Sequence, residues 1–228
     1  MGARDIDQVL ESVPGLHITR NDIYNPQYLF RGISSDFNPQ VLMLINGIPI
    51  TNLFQGDRNL VWGGMPVEAI SRIEVIRGPG SALYGADAFA GVINIVTKTP
   101  KEVQHNSAGA RIGNFNTTDI WFTGAGKQGD LDYFASLELT KTDGSDSQID
   151  SDAQSLLDLI TGTAVSNAPG SVNLERNNVD LRFELGYKKL RLRAGGQIRN
   201  DWGDGAGPAE TLNPDNRLSS QRFNIDLT

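Results

Sequence analysis

The chain has 228 residues, 27 acidic and 20 basic, a net charge of −7 and no cysteine. An acid excess makes the electrostatic part of nucleic-acid binding repulsive and counts against that class of partner. The lack of cysteine removes disulfides, thiol catalysis and Cys-held metal sites together. Mean hydropathy is −0.29, and no apolar run approaches the roughly 20 residues of a spanning helix; strands of alternating polarity would escape such a test.

Met1 to Asp5 lacks the apolar stretch of a signal peptide and reads as the start of a mature chain or an internal fragment, with Met1-Gly2 a cloning remnant. Ile6, Val9, Leu10 and Val13 have helical spacing, and Pro14-Gly15 ends the run. Strands are expected at 15–20, 28–33, 41–45 and 70–76, with Asn46-Gly47 turning the run "VLMLI" back into "IPI" as a hairpin. Gly78-Pro79-Gly80 breaks the chain, a short helix is expected at 81–84, and "GVINIVTK" reads as a buried strand. This half is a small, loop-rich α+β unit. Gly32, Gly47, Gly78, Gly80, Gly85 and Gly91 stand where strands end, which left-handed turns or close backbone approach explain.

Beyond residue 104 the period becomes two. Val179, Leu181, Phe183, Leu185 and Tyr187 alternate with Asp180, Arg182, Glu184, Gly186 and Lys188, and 190–199, 130–140, 117–126 and 222–228 repeat the pattern. Each segment therefore has one apolar and one polar face. A soluble sandwich with its apolar face inward and a membrane barrel with that face outward both fit. Segments of about 9–11 residues match a tilted bilayer crossing. Tight connections at 126–129 and 188–189 alternate with long polar ones at 143–177 and 201–220, as in outer-membrane barrels. Within the first long loop, 153–161 has helical spacing. Asp143, Asp146, Asp150 and Asp152 precede it without the order of an EF-hand loop and read as solvated.

Enzymatic signals are weak. "GPGSALYG" and "GAGK" lack the spacing of phosphate-binding loops. His17 and His105 are isolated, which leaves neither a histidine metal cluster nor a triad. No catalytic residue, metal ligand or cofactor is expected.

The first hundred residues resemble the plug domain of TonB-dependent outer-membrane receptors. The resemblance rests on "VLESVPGL" (9–16), "YLFRGIS" (28–34), "VLMLINGIPI" (41–50) and above all "ISRIEVIRGPGSALYGADAFAGVINIVTK" (70–98). It implies a plug over 1–104 followed, over 105–228, by about six strands of an antiparallel transmembrane β-barrel that has 22 strands when whole. Two departures stand out: Asn46 replaces the frequent Asp of the hairpin, a change that a left-handed turn tolerates, and nothing in residues 1–8 matches the TonB box.

By resemblance, Arg31 and Arg77 lock the plug to wall carboxylates through bidentate bonds; pairing within the plug, with Glu74 or Glu68, is the alternative. Apical loops would meet the ligand through Tyr24, Phe37, Phe54, Gln55, Arg58 and Trp62, since aromatics on loops suit recognition. The implied function is active uptake of a scarce nutrient across the bacterial outer membrane. An iron–siderophore complex is the expected cargo and haem or cobalamin the other candidates, with TonB and outer-membrane lipid as partners. A non-transporting signalling receptor and a soluble β-rich adhesin are the rival readings.

Overall fold

The computed structural model describes residues 2–33, 35–52, 56 and 63–228. They form two units, Met1–Asn21 with Asn25–Gln104, and Asp22–Tyr24 with His105–Thr228.

In the first unit α1 (Ile6–Leu10) starts where the Asp5 carboxylate accepts from the Gln8 N–H, and it buries Ile6 and Leu10. A left-handed Gly15 (φ 80) leads into β1 (Leu16–Arg20), which pairs antiparallel with β2 (Pro26–Phe30). The second strand starts and stops earlier than its apolar residues suggest, because Arg31 (φ 52) and Gly32 (φ 79) both turn left-handed and end it. Asp7 pins α1 to this hairpin: its buried carboxylate accepts from Tyr28 Oη at 2.8 Å and Arg20 Nη2 at 2.9 Å. Burial, then the charge and hydrogen bond of Asp7, push the Tyr28 phenol well above its ordinary pKa.

The main sheet of this unit joins β3 (Val41–Ile45), β4 (Ile48–Pro49), β5 (Ile70–Ile76) and β6 (Gly91–Thr97) in the order β4-β3-β6-β5, with β3 and β6 parallel. Every side chain of β3 is buried because the strand feeds two clusters. Val41, Met43 and Ile45 join Ile6, Leu10, Tyr28, Phe30 and Ile93 on one face, while Leu42 and Leu44 join Ala88 and Val92 on the other. Such a strand reads as an unbroken apolar run. Asn46 does more than permit the turn. Its Nδ2 donates to Thr97 Oγ1 at 2.9 Å and its Oδ1 accepts from the Thr97 N–H at 3.0 Å, so the side chain ties the hairpin to β6, and an aspartate could supply only the acceptor. After α2 (Ser81–Tyr84), Gly91 is needed for closeness rather than for its dihedral: a Cβ there would stand 2.7 Å from the Phe30 ring and 2.9 Å from the Ile76 carbonyl oxygen.

The second unit is a six-stranded antiparallel sheet of β7 (Ser107–Gly113), β8 (Thr117–Gln128), β9 (Leu131–Thr142), β12 (Arg176–Tyr187), β13 (Leu190–Trp202) and β14 (Leu218–Leu227), in the order β14-β13-β12-β9-β8-β7. The long loop between β9 and β12 carries the two-residue ribbon of β10 (Gln148–Ile149) and β11 (Gly170–Ser171), with α3 (Ala153–Thr161) between them. Three details correct the sequence expectation. Strands β8, β9, β12 and β13 reach 12 or 13 residues, longer than a minimal crossing. The tight turn lies at Gly129-Asp130 and not at 126–129, because β8 continues through Gly124 and Gly126. Strand β7, "SAGARIG", carries too little apolar signal to be read from the chain.

The two faces decide between sandwich and barrel. Along β8 and β9, Asp119, Thr123, Ser136 and Glu138 are buried, whereas Ile120, Phe122, Leu137 and Leu139 are exposed. Along β12, Asn178, Asp180, Arg182 and Glu184 are buried and Leu181 is exposed; on β14, Phe223, Ile225 and Leu227 are all more than half exposed. A soluble sandwich would bury the apolar face. The observed inversion is that of a membrane wall, which shows its apolar side to lipid.

Candidate functional site

The polar face of the second unit is built from cross-strand ion pairs. Arg111 on β7 meets Asp119 on β8 at 2.6 Å and Glu138 on β9 at 3.3 Å, with its guanidinium 4.3 Å above the Trp121 ring. Arg199 on β13 holds Asp180 on β12 with two hydrogen bonds of 2.8 and 3.1 Å, and Gln197 donates to the same carboxylate at 3.0 Å. Arg193 on β13 meets Asp226 on β14 at 2.9 Å.

As Arg111 passes over β8 to reach Glu138, a second arginine bridges over β12. Arg191 on β13 reaches Asp132 on β9 at 2.8 Å and also Glu184 on β12 at 3.0 Å. In the register, Gly186 of β12 faces both Asp132 and Arg191. A Cβ at Gly186 would lie 2.0 Å from Asp132 Oδ1, so the glycine leaves the gap through which the pair joins. Charge-assisted pairs of this kind orient a wall firmly and can exchange partners. The alternation of Asp, Arg and Glu was visible in the sequence. The pairings were not, since they depend on register.

The long-loop end of this sheet is closed by a second network. The Arg176 guanidinium lies 5.0 Å from the Trp202 ring and 5.7 Å from that of Tyr24, and buried Trp202 donates from Nε1 to Asn178 Oδ1 at 2.7 Å. Asp22 accepts at its carbonyl from the Ala206 N–H at 3.2 Å. Tyr24 (φ 62), expected in a ligand-contacting loop, is thus half-buried beside a guanidinium within this unit. Asp204, fully buried, accepts from the amides of Asn173 and Asn216. In the longer loop, Asp152 caps α3 by accepting from the Ser155 N–H at 2.7 Å and also accepts from the Leu212 N–H at 2.9 Å. Burial raises the Asp152 pKa, but donors from Ser166, Leu212 and Ser155 outweigh it and hold the carboxyl well below its usual range. Asp158 accepts from Thr163 Oγ1, the Ser166 and Val165 N–H groups and Gln154, which bring it down to about 2.

The remaining expected residues are placed as follows. Phe37 lies 48% exposed in the turn between Ile33 and Val41. Phe54, Gln55, Arg58 and Trp62 lie outside the described residues. Arg31 and Arg77 meet at one turn of the first unit, where the Arg31 N–H donates to the Gly15 carbonyl and Arg77 Nη1 donates to the Pro14 carbonyl, both at 2.9 Å. The alternative pairing of Arg77 with Glu74 is not what the structure shows: Glu74 takes Arg72 at 2.8 Å. Of the expected turn glycines, Gly32, Gly47, Gly78 and Gly85 have positive φ, while Gly80 and Gly91 serve close packing. His17 is paired with Glu11 at 2.5 Å. Among the described residues, no three of His, Cys, Asp and Glu are grouped to hold a metal ion.

Comparison with known proteins matches residues 1–92 to the family described as TonB-dependent Receptor Plug Domain. The vitamin B12 transporter BtuB of Vibrio vulnificus is 35% identical over 131 residues, covering 54% of this chain and 21% of that protein. The ferrienterobactin receptor of Escherichia coli is 28% identical over 258 residues, covering 97% of this chain and 33% of the receptor. Among solved structures, the FrpB iron transporter of Neisseria meningitidis superposes with a TM-score of 0.68 at 15% identity, over 100% of this chain and 34% of that one, a likeness of fold alone. The chain thus spans between about a fifth and about a third of the length of these proteins.

Proposed function

We propose that the chain is the plug domain and a sector of the barrel wall of a TonB-dependent receptor of the bacterial outer membrane, and that it serves TonB-dependent active uptake of a scarce nutrient, with an iron–siderophore complex as cargo. The observation that carries this reading is the pairing of a plug-type unit with a sheet whose polar face is buried and whose apolar face is exposed. Residues 1–104 are assigned to the plug and 105–228 to the wall of a barrel that is completed to about 22 strands. The proposed role is transport, not catalysis.

In this proposal Phe37, Phe54, Gln55, Arg58 and Trp62 meet cargo at the apex, while Tyr24 contributes by holding its loop against Arg176. Arg31 and Arg77, drawn together at the Pro14-Gly15 turn, form one side of the plug lock. The wall carboxylates Asp119, Glu138, Asp132, Glu184, Asp180 and Asp226 already engage wall arginines. The lock therefore requires either exchange within this network or carboxylates from further strands. TonB takes up an N-terminal segment by strand addition and draws on the inner-membrane proton gradient to loosen the plug.

Cobalamin is the second reading, supported by the 35% identity to a vitamin B12 transporter. A strain lacking the receptor, grown on a panel of ferric siderophores, haem, iron salts and cobalamin, separates the two. Loss of growth on one ferric siderophore, with growth on iron salts retained, is expected. Loss on cobalamin alone replaces the cargo, and unchanged growth on every source removes the transport reading.

A further inference from the structure

Helix α3 presents an apolar face to solvent. Leu156, Leu157, Leu159 and Ile160 are 61, 51, 84 and 72% exposed, and Val165 beyond the helix end is 66% exposed. The element is firmly held. Asp152 and Ser155 form a reciprocal capping box, Asp158 gathers the residues after the helix, and Asn167 Nδ2 donates to the Leu212 carbonyl at 2.9 Å. Large aliphatic side chains gathered in one exposed patch on a rigid scaffold mark an interaction surface. Leu156, Leu159 and Ile160 stand at i, i+3 and i+4, the spacing that helix-in-groove recognition uses.

Charge selects the partner. From Asp143 to Glu175 the chain has six carboxylates (Asp143, Asp146, Asp150, Asp152, Asp158 and Glu175) and no lysine or arginine. The neighbouring turn Pro208–Glu210 adds another carboxylate. Glu175 is paired with Arg217 at 2.7 Å, whereas the neutral donors on Asp152 and Asp158 order those carboxylates without neutralising them. A second copy of the same face, or an anionic lipid surface, would meet like charge here, while a basic surface would be attracted. The helix lies on the long-loop side of the sheet, opposite the tight turns Gly129-Asp130 and Lys188-Lys189, which in barrels of this kind is the side facing the cell exterior.

We infer that α3 is a docking site for a cationic amphipathic polypeptide arriving from outside the cell, which lays its apolar side chains on Leu156, Leu157, Leu159 and Ile160 and its basic ones against the surrounding carboxylates. The site is independent of which nutrient the receptor carries.

The test uses the intact receptor in non-ionic detergent and two fluorescent model helices, one of leucine and lysine and one of leucine and glutamate. Anisotropy should report binding of the Leu/Lys helix, weakening as salt rises, and at least about tenfold weaker binding to the Leu156→Gln/Leu159→Gln/Ile160→Gln receptor. The substituted side chains are exposed, so unchanged circular dichroism checks that the variant is folded. Equal binding to the variant, or equal binding of the Leu/Glu helix, overturns the inference. A Leu159→Cys receptor, read against the unsubstituted receptor as control because only these 228 residues are known to hold no cysteine, gives an independent reading. Labelling by an impermeant maleimide on cells, blocked by the Leu/Lys helix, supports the site. Three other outcomes overturn it: no labelling, which means that another part of the receptor covers the face; protection by phosphatidylglycerol vesicles; or a dimer that the triple variant abolishes.

Discussion

The two units solve opposite solvent problems with the same residue types. In the first, Val41, Met43, Ile45, Ile93 and Ile95 point into a common interior and the charged residues mostly lie outside. In the second, Ile120, Leu139, Leu181 and Ile225 point outward while Asp119, Glu138, Asp180 and Arg199 are buried. Burial of apolar area in water drives the first. In the second the apolar side chains are left for lipid, and a unique register comes from backbone ladders and paired charges. The difference shows that an amphipathic strand has no fixed inside, since its surroundings assign one.

The largest expected effect is at the buried pair of the second unit. Arg199 is 2% exposed and holds Asp180 with two bonds, and removing one member of a buried pair costs about 3–5 kcal/mol. Asp180→Ala should therefore lower the unfolding midpoint of the receptor in detergent strongly, and Asp180→Leu combined with Arg199→Met should recover most of the loss. Failure of the double variant to recover would mean that the charges do more than satisfy each other.

Next come two apolar substitutions that separate the interiors. Ile93→Ala, at a fully buried site of the first unit, should cost about 2–5 kcal/mol. Leu181→Arg, midway along β12 and 47% exposed, should cost about 2–4 kcal/mol if that face meets lipid. Were that face solvated, the arginine would be nearly neutral, and a chemical-denaturation series would detect this.

A smaller effect concerns Tyr28. With its folded pKa raised well above the ordinary 10, the stabilisation that it adds is complete below that value and is lost as pH rises toward the folded value. Absorbance titration should show one phenol that ionises late. Tyr28→Phe should remove that late phase while costing about 1.5–3 kcal/mol for the hydrogen bond to Asp7.

The smallest effect is local. Asp158, at about 2, should hold the segment after α3 at neutral pH. Because its folded pKa is depressed, that contribution is present above the ordinary carboxylate value of 3.8 and is lost as pH falls toward about 2. Asp158→Asn should loosen residues 163–166 at neutral pH, seen as faster proteolysis in the loop, with the sheet unaffected.

The sequence alone determined local geometry and periodicity. Asn46-Gly47 specified a hairpin, the spacing of Leu156, Leu157 and Ile160 specified a helix, and the alternation from Val179 to Tyr187 specified a two-faced strand, because each depends on neighbouring backbone and side-chain directions. The ordered plug motifs were legible for the same reason, being strings of turn glycines and short apolar runs. Strand β7 was not, since Ser, Ala and Gly carry little preference and the strand exists because β8 offers it a ladder. Tertiary structure decided the rest: which face of each strand is buried, that Arg191 reaches Asp132 across Gly186, that Arg31 and Arg77 share the Pro14-Gly15 turn, and that Tyr24 sits beside Arg176. These facts depend on register and on groups from distant segments meeting in space, and a one-dimensional pattern carries only the faces, not what they meet.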